Sequence, residues 1–159
     1  MPLSSPISST LSKAATMSLR NIMVASSAAA LIAFSSLGAT AGVVEDRKAN
    51  FKANNASMRA IAAALGSEDF ERITTEAKKI AAWAEIMPDY FPEGSGEGTS
   101  ARPEIWTDFT GFKDAAEANY RAAQDLITVA AKQDAGSAQE ALQAIGATCK
   151  SCHQKFKSW

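Results

Sequence analysis

Histidine and cysteine are nearly absent from this sequence of 159 residues. It contains one histidine and two cysteines, and all three lie in the pentapeptide Cys149-Lys150-Ser151-Cys152-His153. A structural zinc site requires four nitrogen or sulfur ligands, and the chain offers only three of the usual kind. A thioredoxin-like redox motif would follow a strand in a βαβ pattern, which the sequence does not show. A disulfide between Cys149 and Cys152 is an alternative, but it gives His153 no role.

The spacing C-x-x-C-H is typical of covalent attachment of a c-type haem. Two thiols can add to the two vinyl groups of one haem, and the adjoining imidazole can ligate the iron from the same helix turn. The motif therefore predicts one covalent haem c, attached through Cys149 and Cys152, with His153 as metal ligand.

Acidic residues are missing from the first 44 positions, which have the features of an export signal. A short positive region at residues 18–20 precedes an apolar stretch at residues 22–37 and a small-residue cleavage site at residues 39–41. A membrane anchor is the alternative, but the apolar stretch is short for a spanning helix. We expect residues 1–41 to be removed, with Met17 as a candidate start, and the mature protein to be periplasmic.

Excess positive charge is absent as well. After residue 41 the chain has 14 basic and 17 acidic residues, a net charge of −3. This balance argues against nucleic acid or an anionic membrane surface as a partner of the mature protein. The remaining 118 residues are enough for one domain with its own core.

No strand pattern is found, and apolar residues recur at helical spacing in four segments. The first runs from about Val44 to Leu65, and the second begins with Ser67 as N-cap and ends at Pro88. The expected inward stripes are Arg47, Phe51, Met58, Ala62 and Leu65 in the first segment; Phe70, Ile73, Ala77, Ile80 and Ala84 in the second; Ile105, Phe109, Phe112, Ala116, Asn119, Ala123, Leu126 and Ala130 in the third; and Leu142, Ile145, Cys149, Cys152 and Phe156 in the fourth.

The third and fourth segments have their own start signals. A glycine-rich loop at residues 92–98 precedes Pro103, which suits the first position of the third helix. After Gly136, Ser137 and Glu140 form a capping box for the fourth helix. Four amphipathic helices with mostly short connections predict an all-α antiparallel four-helix bundle over residues 42–159.

The predicted bundle places the haem in its core, because both haem cysteines fall on an inward stripe. An apolar macrocycle there is shielded from water. Trp83 lies off the stripe of its helix, and we expect it either in a subunit interface or half-buried within one subunit.

The sequence resembles the cytochrome c′ family, the class II c-type cytochromes, over the whole mature chain. The resemblance rests on the haem motif at the extreme C-terminus followed by Phe156-Lys157, on Arg47 with Phe51, and on the segment Gly98-Thr99-Ser100-Ala101-Arg102-Pro103-Glu104-Ile105-Trp106. It implies a four-helix bundle, commonly a homodimer, whose haem iron has one histidine as its only protein ligand.

The resemblance also implies roles for individual residues. By position, Arg47 lies beside a haem propionate and Phe51 covers the distal face of the haem. Thr99 and Ser100 line the haem edge, and Lys157 stands near the proximal histidine. A solvated arginine at a helix start is the alternative for Arg47, and plain core packing is the alternative for Phe51.

Phenylalanine cannot ligate iron, so Phe51 implies a five-coordinate haem with an apolar cover. Nitric oxide and carbon monoxide would bind after displacing Phe51, whereas dioxygen would be disfavoured because phenylalanine donates no hydrogen bond. With no second histidine for acid–base chemistry, we expect electron transfer to an unidentified redox partner or gas binding, and no enzymatic turnover. The alternatives are a six-coordinate electron carrier ligated by Met58, with Met87 a poorer candidate, and a haem-free exported protein with a disulfide.

Overall fold

The computed structural model describes the backbone of residues 33–159 and the side chains of residues 42–159. Four long helices form a bundle, and α3 is a single turn; the elements are α1 Ala33–Gly66, α2 Phe70–Ile86, a 3-10 turn Met87–Tyr90, α3 Glu104–Thr107, α4 Phe109–Ala130 and α5 Ala135–Phe156. These residues contain no strand, which confirms the all-α prediction, and none of their helices is long and apolar enough to cross a membrane. The predicted export segment, residues 1–41, lies outside the described side chains and stays a prediction.

Helix α1 begins earlier than the sequence pattern indicates and ends where it indicates. It starts at Ala33 rather than near Val44, and it stops at Gly66. The inward stripe passes through Ile61 and Ala64, which are buried, whereas Ala62 is exposed. The prediction for Ala62 was therefore wrong. Alanines occur on several faces of α1, so the sequence pattern does not distinguish its buried face from its exposed face there.

Helix α2 is capped by Asp69 and not by Ser67. The Asp69 carboxylate accepts a hydrogen bond from the Arg72 backbone N–H at 2.9 Å. Glu68 has φ of 52°, a left-handed conformation that prevents the helix from extending back to Ser67. The predicted inward stripe is confirmed, since Ile73, Ala77, Ile80 and Ala84 are buried.

The N-cap of helix α5 lies three residues before Ser137, the N-cap of the predicted capping box. Asp134 is its N-cap and accepts from the Ser137 N–H at 3.0 Å and from the Ser137 hydroxyl at 2.7 Å. Gln133, at φ of 56°, turns the chain just before this cap. Gly136 and Ser137 therefore lie inside the first turn, and Glu140 has no capping role.

The predicted third helix is interrupted at Asp108. This residue leaves the helical conformation at φ of −131°, and its carboxylate caps α4 by accepting from the Gly111 N–H at 3.0 Å. A Cβ at Gly111 would come too close to the same carboxylate, so a larger residue there would force the capping side chain to shift. The break separates α3 from α4 and leaves Phe109 37% exposed, which corrects its placement on the inward stripe.

The connection between α2 and α3 is fastened to the C-terminus of α5. The Arg102 N–H donates to the Phe156 carbonyl at 3.0 Å, and the Ser158 N–H donates to the Ser100 carbonyl at 2.9 Å. Ala101 and Lys157 pair as an isolated bridge between these two bonds. The segment after the glycine-rich loop is thereby held against the helix that carries the C-x-x-C-H motif.

The core divides into two clusters at opposite ends of the bundle. We call the first the aliphatic end; its larger members are Ile61, Ile73, Ile80, Leu126, Leu142 and Ile145. The second, the aromatic end, is built from Trp83, Met87, Phe91, Ile105, Phe112 and Phe156. Cys149 packs against the aliphatic end and Cys152 against the aromatic end, so the motif lies where the two clusters meet.

Candidate functional site

A cavity of about 660 Å³ opens in the bundle beside the C-x-x-C-H motif. Its volume falls within the roughly 300–1,000 Å³ that ligand and cofactor pockets occupy. All seven residues that the sequence singled out line it, and they come from α1, the loop and α5: Arg47, Phe51, Thr99, Ser100, Cys149, Cys152 and His153. The structure thus brings together side chains that are separated by as many as 106 positions in the sequence.

The two cysteines lie one turn apart on α5 and share a face toward the cavity. The Asn119 amide on α4 donates to the Cys149 sulfur at 3.6 Å and to the Thr148 hydroxyl at 2.8 Å. Burial raises the pKa of the Cys149 thiol. Burial, together with the charge of Cys149, raises the pKa of Cys152 to about 11. Both sulfurs are therefore protonated thiols at neutral pH.

His153 stands on the same turn as Cys152 and is half-buried. Burial, and secondarily the positive charge of Lys157, lowers the pKa of its imidazole. The ring is therefore neutral at pH 7, which is the form that ligates a metal. It lies between the rings of Phe51 and Trp159, whose centroids are 6.5 Å and 6.0 Å from its own.

Phe51 approaches the imidazole from α1. Inserting one flat aromatic layer between two rings requires roughly 7–8 Å, twice the 3.5–4.0 Å separation of carbon atoms in contact. The centroids of Phe51 and His153 are 6.5 Å apart, slightly less than this, and the two ring planes are inclined by 63° rather than parallel. A planar macrocycle therefore fits between them if the Phe51 ring tilts or moves back by about 1 Å.

Arg47 is a buried cation, which excludes the solvated arginine considered above. Its guanidinium donates to the Ser95 carbonyl at 2.9 Å, the Ser95 hydroxyl at 3.2 Å and the Tyr90 carbonyl at 3.3 Å, and it lies 4.2 Å from the centroid of the Phe91 ring. Burial lowers its pKa. No carboxylate pairs with it among residues 42–159, so the positive charge is balanced only by neutral dipoles.

Thr99 and Ser100 reach the cavity as part of the fastened loop. The Thr99 hydroxyl donates to the Gly96 carbonyl at 2.8 Å and accepts from the Ala101 N–H at 3.1 Å. Its polar group is thus used to shape the turn. Ser100 contributes its carbonyl to the bond with Ser158.

The cavity lining contains cationic residues that were not predicted from the sequence. Lys48, Lys52 and Arg59 join Arg47 and Lys157 in its lining, which includes no aspartate or glutamate among the described residues. The helical spacing of the first three along α1 was the available signal. An anionic group on the occupant would meet only positive charge at this rim.

The two methionines considered as iron ligands differ in their position relative to the cavity. Met58 packs against the aliphatic end and is not part of the lining formed by residues 42–159. Met87 is buried and lines the cavity from the end of α2.

Trp83 corrects another expectation. It is only 5% exposed and packs edge-on against Phe51 and Tyr90, with centroids 5.3 Å and 5.2 Å away, so it is neither half-buried nor available to an interface.

Comparison with known proteins identifies the family of this chain. The family model described as Cytochrome C′ matches residues 42–157. Cytochrome c′ of Rhodospirillum rubrum is 38% identical over 123 residues, covering 74% of this chain and 83% of its own. A solved cytochrome c′ described as having an unusual ligand-controlled dimer dissociation is 28% identical with a TM-score of 0.70, over 76% of this chain and 97% of its own.

A nitric oxide complex of a cytochrome c′ variant from Alcaligenes xylosoxidans shares the fold. Its TM-score is 0.68 at 23% identity, and it covers 76% of this chain and 97% of its own. The family match spans the helices, the loop and the cavity-lining motif together. The chain belongs to the cytochrome c′ family.

Proposed function

We propose that this protein is an exported, periplasmic haem protein that transfers electrons or binds nitric oxide and carbon monoxide at a five-coordinate iron. The observation that carries the proposal is the placement of Phe51 against His153, with Cys149 and Cys152 on the same cavity wall. Cys149 and Cys152 would hold one haem c, and His153 would ligate its iron. When bound, the haem supplies an iron that exchanges one electron and binds small diatomic molecules.

The residues around the cavity fit such a group. Its apolar lining suits a macrocycle, and its cationic rim suits the two propionates, which are the only charged substituents of a haem. Arg47 in particular is a buried cation that lacks an anionic partner among the described residues, and a propionate would supply one. Thr99 and Ser100 would then border the haem edge as part of the loop that Arg47 holds.

The role of Phe51 follows from what its side chain can do. It excludes water from the side of the cavity opposite His153 and supplies no ligand atom. A neutral diatomic molecule reaches that side only after the ring moves. The nitric oxide complex of the Alcaligenes xylosoxidans variant is consistent with this chemistry in the same fold.

Two measurements on the purified mature protein test the proposal. Intact mass should increase by one haem, whereas a Cys149–Cys152 disulfide would lower it by two hydrogens. The ferrous absorption spectrum should be high-spin and should change when nitric oxide or carbon monoxide is added. A low-spin spectrum that is lost in a Met58→Ala or a Met87→Ala variant would instead establish the six-coordinate electron carrier.

The protein is also proposed to be a homodimer. The exposed residues Ala53, Ala56 and Ala63 and the half-buried Ala60 follow one another at helical spacing along α1, which permits close approach of another helix. The relative with a ligand-controlled dimer dissociation supports the same assembly. Gel filtration at several concentrations should show a dimer, and a monomer throughout would reject it.

A further inference from the structure

Two buried side-chain polar atoms have no hydrogen-bond partner in the part of the chain with described side chains: Asn54 Oδ1 and Trp83 Nε1. Both side chains neighbour Phe51. Asn54 follows Phe51 by one turn on α1, and the Trp83 ring packs edge-on against the Phe51 ring. One atom is an acceptor and the other a donor. Since buried polar groups are almost always paired, their occurrence beside the same ring points to a missing polar partner there.

Asn54 lines the cavity on the same wall as Arg47 and Phe51. Its amide has no hydrogen-bond partner among residues 42–159, whereas the amides of two other asparagines are engaged. Asn50 donates to the Asp46 carbonyl at 2.9 Å, and Asn119 donates to Thr148 and Cys149. An amide offers two N–H donors and one carbonyl acceptor, so a free one can contact two small polar molecules at once.

We propose that Asn54 is a ligand-recognising residue: its amide N–H donates to the outer atom of a diatomic ligand bound on the Phe51 side of the cavity. Its Oδ1 accepts from a buried water, which in turn accepts from the Trp83 indole N–H. This arrangement satisfies both unpaired atoms and leaves the amide N–H groups of Asn54 for the ligand. The inference rests on the proposed gas-binding function and specifies how the same site distinguishes its ligands.

The cavity wall therefore has an apolar cover with a polar group beside it. Phe51 alone would favour ligands that need no hydrogen bond. A neighbouring amide donor favours ligands whose outer atom carries negative charge when bound, dioxygen above all. Asn54 thus weakens the discrimination against dioxygen that Phe51 by itself implies.

Infrared spectroscopy of the carbon monoxide adduct tests this, because a hydrogen bond to bound carbon monoxide lowers its C–O stretching frequency. In the haem-loaded protein, Asn54→Leu should move the band to higher frequency and speed dioxygen release about tenfold, as expected for the loss of one hydrogen bond. Asn50→Leu is the matched control, since Asn50 lies on the same helix but does not line the cavity. It should leave both quantities unchanged.

Trp83→Phe provides a second variant that keeps an aromatic ring against Phe51. It should shift the band in the same direction by less, because it removes only the donor to the water. An unchanged C–O frequency in Asn54→Leu, or equal shifts in Asn54→Leu and Asn50→Leu, would overturn this inference while leaving the proposed function intact. A wild-type protein that loads haem but forms no adduct would overturn both.

Discussion

The two ends of the bundle differ in the side chains that form their cores. The aliphatic end is a closed core of isoleucine, leucine and alanine contributed by all four long helices. The aromatic end draws on α2, α4, α5, the loop and the single turn α3, and it borders the cavity. Branched aliphatic side chains fill space between helices, whereas large rings can line a space without filling it. The two ends therefore differ in that only the aromatic end combines a packed core with the border of a cavity.

The largest effect should come from removing the thiols at the junction of the two ends. Cys149→Ser with Cys152→Ser should abolish covalent haem attachment, as measured by intact mass and by absorption after denaturation. Helicity by circular dichroism should remain, because the aliphatic end is formed mainly by isoleucine, leucine and alanine, and Cys149 only borders it. Ser151→Ala, an exposed position between them, is the control and should retain the haem. Covalent haem in the double variant would contradict the assignment.

Core truncations should affect both ends, but in different ways. Ile145→Ala in the aliphatic end should lower the free energy of unfolding by about 2–5 kcal/mol, and Phe112→Ala in the aromatic end by about 3–5 kcal/mol. Only Phe112→Ala should also change the ligand-binding spectra, since Phe112 lines the cavity. Urea titrations of the haem-loaded proteins measure the first quantity. Ile86→Ala, at an exposed position, should change stability by less than about 0.5 kcal/mol.

Two glycine substitutions should have opposite signs. A Cβ at Gly96 would stand 2.6 Å from Cη2 of Trp106, whose indole N–H donates to the Phe91 carbonyl at 2.9 Å. Gly96→Ala should therefore destabilise the loop by about 1–3 kcal/mol through overpacking. Gly146→Ala, inside α5 with open space around it, should stabilise the protein by about 0.5–1 kcal/mol. Thermal unfolding of both variants measures the difference, and equal signs would contradict the packing argument.

The smallest effect concerns a buried carboxylate at the aliphatic end. Glu76 accepts hydrogen bonds from Lys79 at 2.9 Å and Ser57 at 2.8 Å, and the bond from Lys79 is the main reason that its pKa lies below the usual 4.5. A lowered folded pKa contributes stability above the unfolded pKa, and this stability is lost as pH falls through the folded value. Stability should therefore decrease on acidification below about pH 4.5. Glu76→Gln should reduce that decrease, and the exposed Glu71→Gln should not.

The sequence predicts the aliphatic end better than the aromatic end. The inward stripe of α2 was predictable because Ile73 and Ile80 contrast with charged neighbours, and the C-x-x-C-H motif identified the cavity wall on α5. The helix break at Asp108 was missed, because an aspartate within a regular apolar repeat gives no local sign that its carboxylate caps a new helix.

Tertiary contacts account for the remaining errors at the candidate site. The bonds from Arg47 to Ser95, and the fastening of Ser100 to Ser158, join positions that are 48 and 58 residues apart. No periodicity encodes such pairs. Asn54 was missed for a related reason. Its Oδ1 atom is buried without a hydrogen-bond partner, and only the three-dimensional structure reveals this.

The protonated state of the two thiols has a consequence for the order of assembly. A thiolate is the reactive form of cysteine, and an unperturbed cysteine is a few per cent thiolate at pH 7. Burial raises the pKa of the folded Cys152 to about 11, so its thiolate is far scarcer at pH 7 than that of an unperturbed cysteine. Once the bundle has folded, the burial of Cys152 would slow any reaction at its sulfur. The proposed haem linkage is therefore made most readily on the chain before it folds.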